Sequence, residues 1–195
     1  MAKKAESTLP NMLLSLTAIA LVAAAALAAL NGVTKEPIAA AQQAKVENAI
    51  SAVLPAFDKL EDRDVDGHLC HVGLDAEGNM VGAAIEAGND KGFGGHLQLM
   101  VGFDKEGNVS GYQILETHET PGLGAKADQW FQKDGKGCVV GSNPAESALT
   151  VKKDGGSVDA ISGSTITSRA FLGIVNDASA VFAQINNENS TDYED

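Results

Sequence analysis

Apolar and polar positions along the chain follow three regimes, and each predicts a different element. From Met12 to Leu30 the chain runs through LLSLTAIALVAAAALAAL, about 18 residues with no charge and no polar face. A helix needs roughly 20 such residues to cross a bilayer, and it satisfies its backbone groups internally while doing so. The pattern predicts a membrane anchor over residues 12–31, behind a cytoplasmic N-terminal segment of residues 1–11. A cleaved signal peptide is the competing reading, since the small residues of AALAAL suit a peptidase. The apolar run exceeds the ~7–15-residue core of a signal, which favours retention.

The second regime is helical and amphipathic. Val46, Ala49, Ile50, Val53 and Leu54 fall at i, i+3, i+4, i+7, i+8 and form one stripe, expected to pack on a core. Thr34 is placed to cap this helix, and Pro55 to end it. From His68 the period changes to two. HLCHVGL, MVGAAIEA, the run Leu97–Phe103 and VSGYQILE read as strands. Asp75-Ala-Glu-Gly-Asn79 and Asp104-Lys-Glu-Gly-Asn108 interrupt them as hairpin turns with Gly at the turn position. Two such hairpins imply antiparallel pairs in one sheet.

After a loop-rich middle and a short stretch around Trp130 and Phe131, brief strands are expected near Val139, Leu149 and Val158. A last helix spans Thr165 to Ile185, with Ile166, Ala170, Ile174, Ala178, Val181, Phe182 and Ile185 on one face. The folded domain is expected over residues 32–185. The tail NNENSTDYED, residues 186–195, is polar and acidic enough to be disordered.

Charge narrows the choice of partners. With 14 Lys+Arg against 26 Asp+Glu the net charge is −12, which argues against nucleic acid as a ligand. Aromatic content of 5% leaves little for stacking on single strands. Around the span, Lys3 and Lys4 oppose Lys35 and Lys45, so the positive-inside bias is weak. The long remainder can be translocated, which favours the N-terminus inside and the domain outside.

The segment Val158-Asp-Ala-Ile-Ser-Gly-Ser-Thr-Ile-Thr-Ser-Arg169 carries the candidate chemistry. Ser162, Ser164, Thr165, Thr167 and Ser168 place five hydroxyls within seven residues where a strand-like stretch meets a helix. Gly163 permits a tight turn or a close ligand approach. Two readings stand: an ordinary Ser/Thr helix cap, or a phosphate held by the free amides at the helix start. A Walker-type loop is excluded, because its glycine spacing and its lysine are missing.

Asp159-x-x-Ser162-Gly163-Ser164-Thr165 resembles the covalent flavin-attachment motif of FMN-binding domains. Ser164 stands where the usual motif has Ala, and Ile166-Thr167-Ser168 continues the pattern. His118-Glu-Thr-Pro-Gly-Leu-Gly124, preceded by Leu99-Met-Val-Gly-Phe-Asp104, is similar to the membrane-anchored G subunit of Rnf electron-transport complexes. The related C subunit of the sodium-pumping NADH:quinone reductase shares the FMN motif and is the alternative assignment. The resemblance implies an α+β fold, an antiparallel sheet flanked by helices. It also implies FMN esterified through its phosphate to Thr165 by a flavin transferase that consumes FAD. Ser162, Gly163, Ser164, Ile166, Thr167 and Ser168 would surround the phosphate. Asp159 would serve either transferase recognition or orientation of the hydroxyl. Glu119, Thr120, Gly122 and Leu123 belong to a loop that is either a cofactor contact or a plain tight turn. The protein would be a relay within a complex coupling ferredoxin oxidation and NAD reduction to ion movement. Its other partners would be the remaining subunits, and its place the bacterial inner membrane, with the domain on the periplasmic or outer side.

Other residues invite functional readings with plainer alternatives. On a strand His68 and Cys70 point one way and His71 the other, which spoils a shared metal site, and none is expected. Cys70 and Cys138 are able to pair in an oxidising compartment, but the sequence does not fix their geometry. Gly94-Gly95-His96 reads as a strand start or as a border of the flavin, Trp130 as core, and Lys152 and Lys153 as a solvated face. Two further classes compete with the flavoprotein. One is an exported, non-redox module binding an anion, and the other is a secreted enzyme using Ser162 or Thr165 as nucleophile. No His follows Thr165, which weakens the last.

Overall fold

The computed structural model describes residues 8–191, so most of the expected cytoplasmic segment and the last four residues of the acidic tail lie outside the described residues. The chain divides after Ala44 into two units. Helix α1, Leu9–Val53, contributes to both, and every described side chain of the first unit is exposed. α1 is long and apolar enough to cross a membrane. Thr34 does not cap a second helix as expected. It lies mid-helix, its Oγ1 donating to the Leu30 carbonyl at 2.9 Å, the back-bonding typical of a helical Thr. Pro37 also lies inside α1, so the Val33 carbonyl loses its helical donor. Exposure leaves that carbonyl open to solvent, and the helix continues. The second unit begins at Lys45, and its first buried side chain is Ala49.

The second unit is α+β, as expected. Five strands form an antiparallel meander in the order of the chain: β1 Lys59–Val65, β2 His68–Leu74, β3 Met80–Gly92, β4 Gly95–Asp104 and β5 Val109–Thr117. The two Asp-x-Glu-Gly-Asn segments fold alike. In each, the Asp carboxylate accepts from the backbone and side-chain nitrogens of the Asn four residues on, and the Gly takes φ near +90° (91° at Gly78, 86° at Gly107). β1 escaped the sequence reading because KLEDRDV lacks apolar alternation. The Asp66-Gly67 turn pairs it with β2, and its charges protect an edge strand from further pairing.

Both faces of the sheet are covered. On one, Ala49, Ile50, Val53 and Leu54 of α1 pack on Ala84 and Met100, which is the predicted stripe. On the other lies the main core, closed by α3, Thr165–Thr191. Its buried face is wider than expected and includes Phe171, Leu172 and Val175, while Ile166 is half exposed. The helix also runs past Ile185 to Thr191, so residues 186–191 of the expected disordered tail are helical. Once a helix is nucleated, each further residue adds a hydrogen bond at little cost. Phe171 stacks on Phe131 with centroids 4.3 Å apart and meets Tyr112 edge-on at 4.7 Å. The Tyr112 hydroxyl donates to the carbonyl of Ala127, the first residue of the short helix α2, Ala127–Trp130.

No strand forms near Val139, Leu149 or Val158. Their side chains are buried, but only Val151 and Val158 pair, through a single parallel bridge. Asn176 of α3 takes the place of a strand partner, donating to the Leu149 carbonyl and accepting from its amide, both at 2.9 Å. Cys70 and Cys138 are both free. Burial pushes the Cys70 thiol up to about 11, so it behaves as a small apolar group.

In the His68-Leu-Cys-His71 segment, His71 meets carboxylates from both neighbouring strands. His71 is buried, with Nδ1 2.6 Å from Asp62 Oδ1 on β1 and Nε2 3.7 Å from Glu86 Oε1 on β3. Burial disfavours the charged ring, but the Glu86 and Asp62 carboxylates outweigh it and hold its pKa above the ordinary value. A folded pKa above the unfolded one stabilises fully below ~6.5, and the contribution fades as pH rises through the folded value. The Tm advantage of the wild type over His71→Asn should therefore shrink from about pH 6 to pH 9 in thermal melts. The aromatic contacts give a second expectation. Phe171→Ala should lower the unfolding free energy by about 3–5 kcal/mol in urea titrations.

Candidate functional site

The segment Ile161–Arg169 is built around one side chain. Gly163 turns the chain at φ 79°, a backbone conformation costly for residues with a Cβ. The Ser164 amide donates to the Ile161 carbonyl at 2.9 Å. Ser168, fully buried, closes the turn from above. Its hydroxyl accepts from the Ile161 amide and donates to the Ser164 carbonyl, each at 2.9 Å. The turn is thereby fixed to the first turn of α3. Helical geometry leaves the amides of Thr165, Ile166 and Thr167 without intrahelical acceptors, at the positive end of the dipole.

Thr165 and Ile166, which carry the first two of these amides, line a cleft of about 340 Å³ together with Phe93, Glu119, Thr120, Leu123 and Lys153. The expected loop supplies one wall. Thr120 O accepts from the amides of Leu123 and Ala125 (3.1 and 3.3 Å), which shapes the bend, and Gly122 takes φ 77°. The hairpin tip between β3 and β4 supplies another. A Cβ on Gly94 would lie 2.1 Å from the His118 carbonyl oxygen, so the close approach of tip and loop requires glycine there. Gly94 thus borders the site through the loop, and His96 pairs instead with Asp90 at 2.7 Å.

The chemistry of the cleft is uneven. Glu119 is 8% exposed, and neither of its carboxylate oxygens meets a hydrogen-bond donor among the described residues. The Thr167 hydroxyl, fully buried, is likewise unpartnered. A Cβ on Gly124 would lie 2.3 Å from Glu119 Oε2 and 2.8 Å from Thr167 Oγ1, so glycine makes room for both groups. Phe93, Leu123 and Ile166 form an exposed apolar rim. Lys153 reaches in from the turn Lys152–Asp154, with its Nζ 3.4 Å from Thr165 Oγ1.

Of the hydroxyls predicted to matter, Thr165 is half-buried and lines the cleft, whereas Ser164 lines it but is buried. Ser168 is committed to the turn, Thr167 points behind Gly124, and Ser162 is exposed outside the lining. The Asp159 carboxylate pairs with Lys152 Nζ at 2.7 Å, and its carbonyl accepts from Trp130 Nε1 at 2.7 Å. Sequence reading missed Phe93 and placed Lys153 on a solvated face. No local signal marks Lys153, which arrives through a turn twelve residues before Thr165. A larger hollow of about 690 Å³ lies beside Trp130, with Lys126, Lys133 and Lys136 around it. It contains none of the unpartnered buried groups, so the smaller cleft is the stronger candidate.

Comparison with known proteins bears on the same segments. Residues 92–180, which include the cleft, match the FMN-binding domain family. The G subunit of the ion-translocating oxidoreductase complex of Yersinia pestis is 36% identical over 170 residues, covering 77% of this chain and 79% of the relative. Its counterpart from Methanosarcina acetivorans is 33% identical over 86% of this chain and 91% of the relative. The G subunit of the Na(+)-translocating ferredoxin:NAD(+) oxidoreductase complex of Acetobacterium woodii is 31% identical, covering 88% and 90%.

The chain belongs to the family of Rnf G subunits. Its N-terminal helix is long and apolar enough to cross a membrane, and residues 92–180 are of the FMN-binding type. The residues present fit that cofactor. FMN offers an anionic phosphate, hydroxyl and ring N–H donors, and a flat apolar ring. The cleft of this Rnf-type domain offers a lysine and helix amides, a buried carboxylate short of donors, and an apolar rim. A buried carboxylate without donors destabilises a fold, and a donor-bearing ligand beside Glu119 would relieve that cost. In the flavin-free full-length chain, Glu119→Gln should raise the unfolding free energy by about 1 kcal/mol, read from urea titrations in detergent.

Proposed function

We propose that this subunit carries FMN covalently, its phosphate esterified to Thr165, and passes electrons between neighbouring redox subunits. The observation that carries the reading is Thr165 itself. It alone among the five clustered hydroxyls is both accessible and on the cleft, beside a lysine and the helix amides. Lys153 and the amides of Thr165, Ile166 and Thr167 would hold the phosphate. Glu119 would accept from donors of the ribityl chain or ring, and Phe93, Leu123 and Ile166 would shield the ring. FMN supplies one- and two-electron redox chemistry, while the protein sets its position and potential.

The tether suits a domain on the periplasmic or outer face of the bacterial inner membrane, where a lost cofactor cannot be recaptured. The length of the segment after α1, which can be translocated largely regardless of its charge, supports that orientation. The name of the Acetobacterium woodii relative supports a complex in which ferredoxin oxidation and NAD reduction drive ion movement. The flavin transferase, which takes FAD as donor, would be the maturation partner. No substrate of its own is turned over by this subunit.

The decisive comparison is made on denaturing gels under ultraviolet light, with the chain co-expressed with a flavin transferase. The wild type should give a fluorescent band and Thr165→Ala none. A dark wild-type band, or a fluorescent Thr165→Ala band, would overturn the covalent reading.

A further inference from the structure

Lys152, Lys153 and Asp154 form one short turn, and the structure holds it from both sides. Asp154 receives a two-pronged contact from Arg169 on α3, with Nε donating to Oδ2 at 2.7 Å and Nη2 to Oδ1 at 2.8 Å. Lys152 pairs with Asp159 at 2.7 Å. Its amide donates to the Val158 carbonyl at 2.9 Å, and the Asp154 amide to the Val151 carbonyl at 2.8 Å. Two of the three charged residues are thus used to fix the turn. The third, Lys153, has no carboxylate within ion-pair distance among the described residues. In a chain of net charge −12 its contact is a neutral hydroxyl, Thr165 Oγ1.

We infer that Lys153 prepares the Thr165 oxygen for esterification and then neutralises the phosphodiester that forms, and that Asp159 acts through Lys152 to position it. The inference rests on the covalent reading above. In the transfer, Thr165 Oγ attacks the riboflavin-side phosphorus of FAD. The Oγ–P bond forms, the bridging P–O bond to the adenylate breaks, AMP leaves, and the hydroxyl proton passes to solvent. No group is oxidised or reduced. The Lys153 ammonium donates to a lone pair of Oγ1, which leaves the hydroxyl hydrogen free for removal and steadies the negative charge that develops on oxygen. Afterwards the same ammonium faces a singly negative phosphodiester, and the pair is neutral. The motif acid Asp159 then has a physical role that touches neither flavin nor hydroxyl. It is a positioning residue, anchoring the turn that presents Lys153.

The test measures the rate of covalent flavin incorporation into the purified full-length chain from FAD and a flavin transferase. Wild type, Lys153→Met, Lys153→Arg, Asp159→Asn and Thr165→Ala are compared, with thermal melts alongside. Losing one charge-assisted hydrogen bond should slow Lys153→Met by about tenfold or more at unchanged Tm. Lys153→Arg should restore most of the rate, and Asp159→Asn should fall between. Incorporation into Lys153→Met at the wild-type rate would overturn the role of Lys153, as would equal impairment of the Met and Arg variants. A wild type that takes up no flavin would instead sink the covalent reading itself.

Discussion

The buried hydroxyl of Ser168 holds the site together. Accepting from the Ile161 amide and donating to the Ser164 carbonyl, it ties the turn before α3 to the first turn of that helix. The helix side of the cleft depends on this clamp. It orients the free amides at the helix start, and it sorts the neighbouring hydroxyls so that Thr165 alone lines the cleft with its side chain accessible. α3 in turn is held by the Phe131–Phe171–Tyr112 contacts and by Asn176, so the clamp is mounted on the main core rather than on a loose loop.

Around this fixed point the cleft divides its chemistry. A lysine and helix amides suit an anion, while a buried carboxylate repels one and calls for donors. Such a division gives a phosphate-bearing ligand a direction, because its phosphate and its hydroxyl or N–H groups cannot exchange places. An overall acidic surface does not conflict with phosphate binding here. The relevant field is local, set by Lys153 within hydrogen-bonding reach of the Thr165 hydroxyl and by the amide groups beside it.

Much of this was legible in the sequence, for identifiable reasons. Strands β2 to β5 announced themselves because period-two alternation and the Asp-x-Glu-Gly-Asn turns agree with each other. The stripe Ala49–Leu54 was legible because burial on one face imposes a helical period. β1 was not, because an edge strand carries its charges outward and has little alternation to show; Asp66-Gly67 was the overlooked signal. The break expected at Thr34 failed because a Thr can bond back to a carbonyl within a helix as readily as it caps one. Strands near Leu149 and Val139 failed because apolar residues can be buried singly when side chains such as Asn176 satisfy the backbone. In the site, contiguous motifs singled out Thr165 and Glu119, both of which line the cleft. Lys153 and Phe93 reach the cleft from separate elements, a long-range placement that no local pattern encodes.

The central claim, that Thr165 bears the flavin phosphate, is tested most directly by fragmentation mass spectrometry of the peptide spanning Val158 to Arg169, from protein made with a flavin transferase. An FMN adduct is expected on Thr165, with Ser162, Ser164, Thr167 and Ser168 unmodified. An adduct on any of those four, or an unmodified peptide, would contradict it.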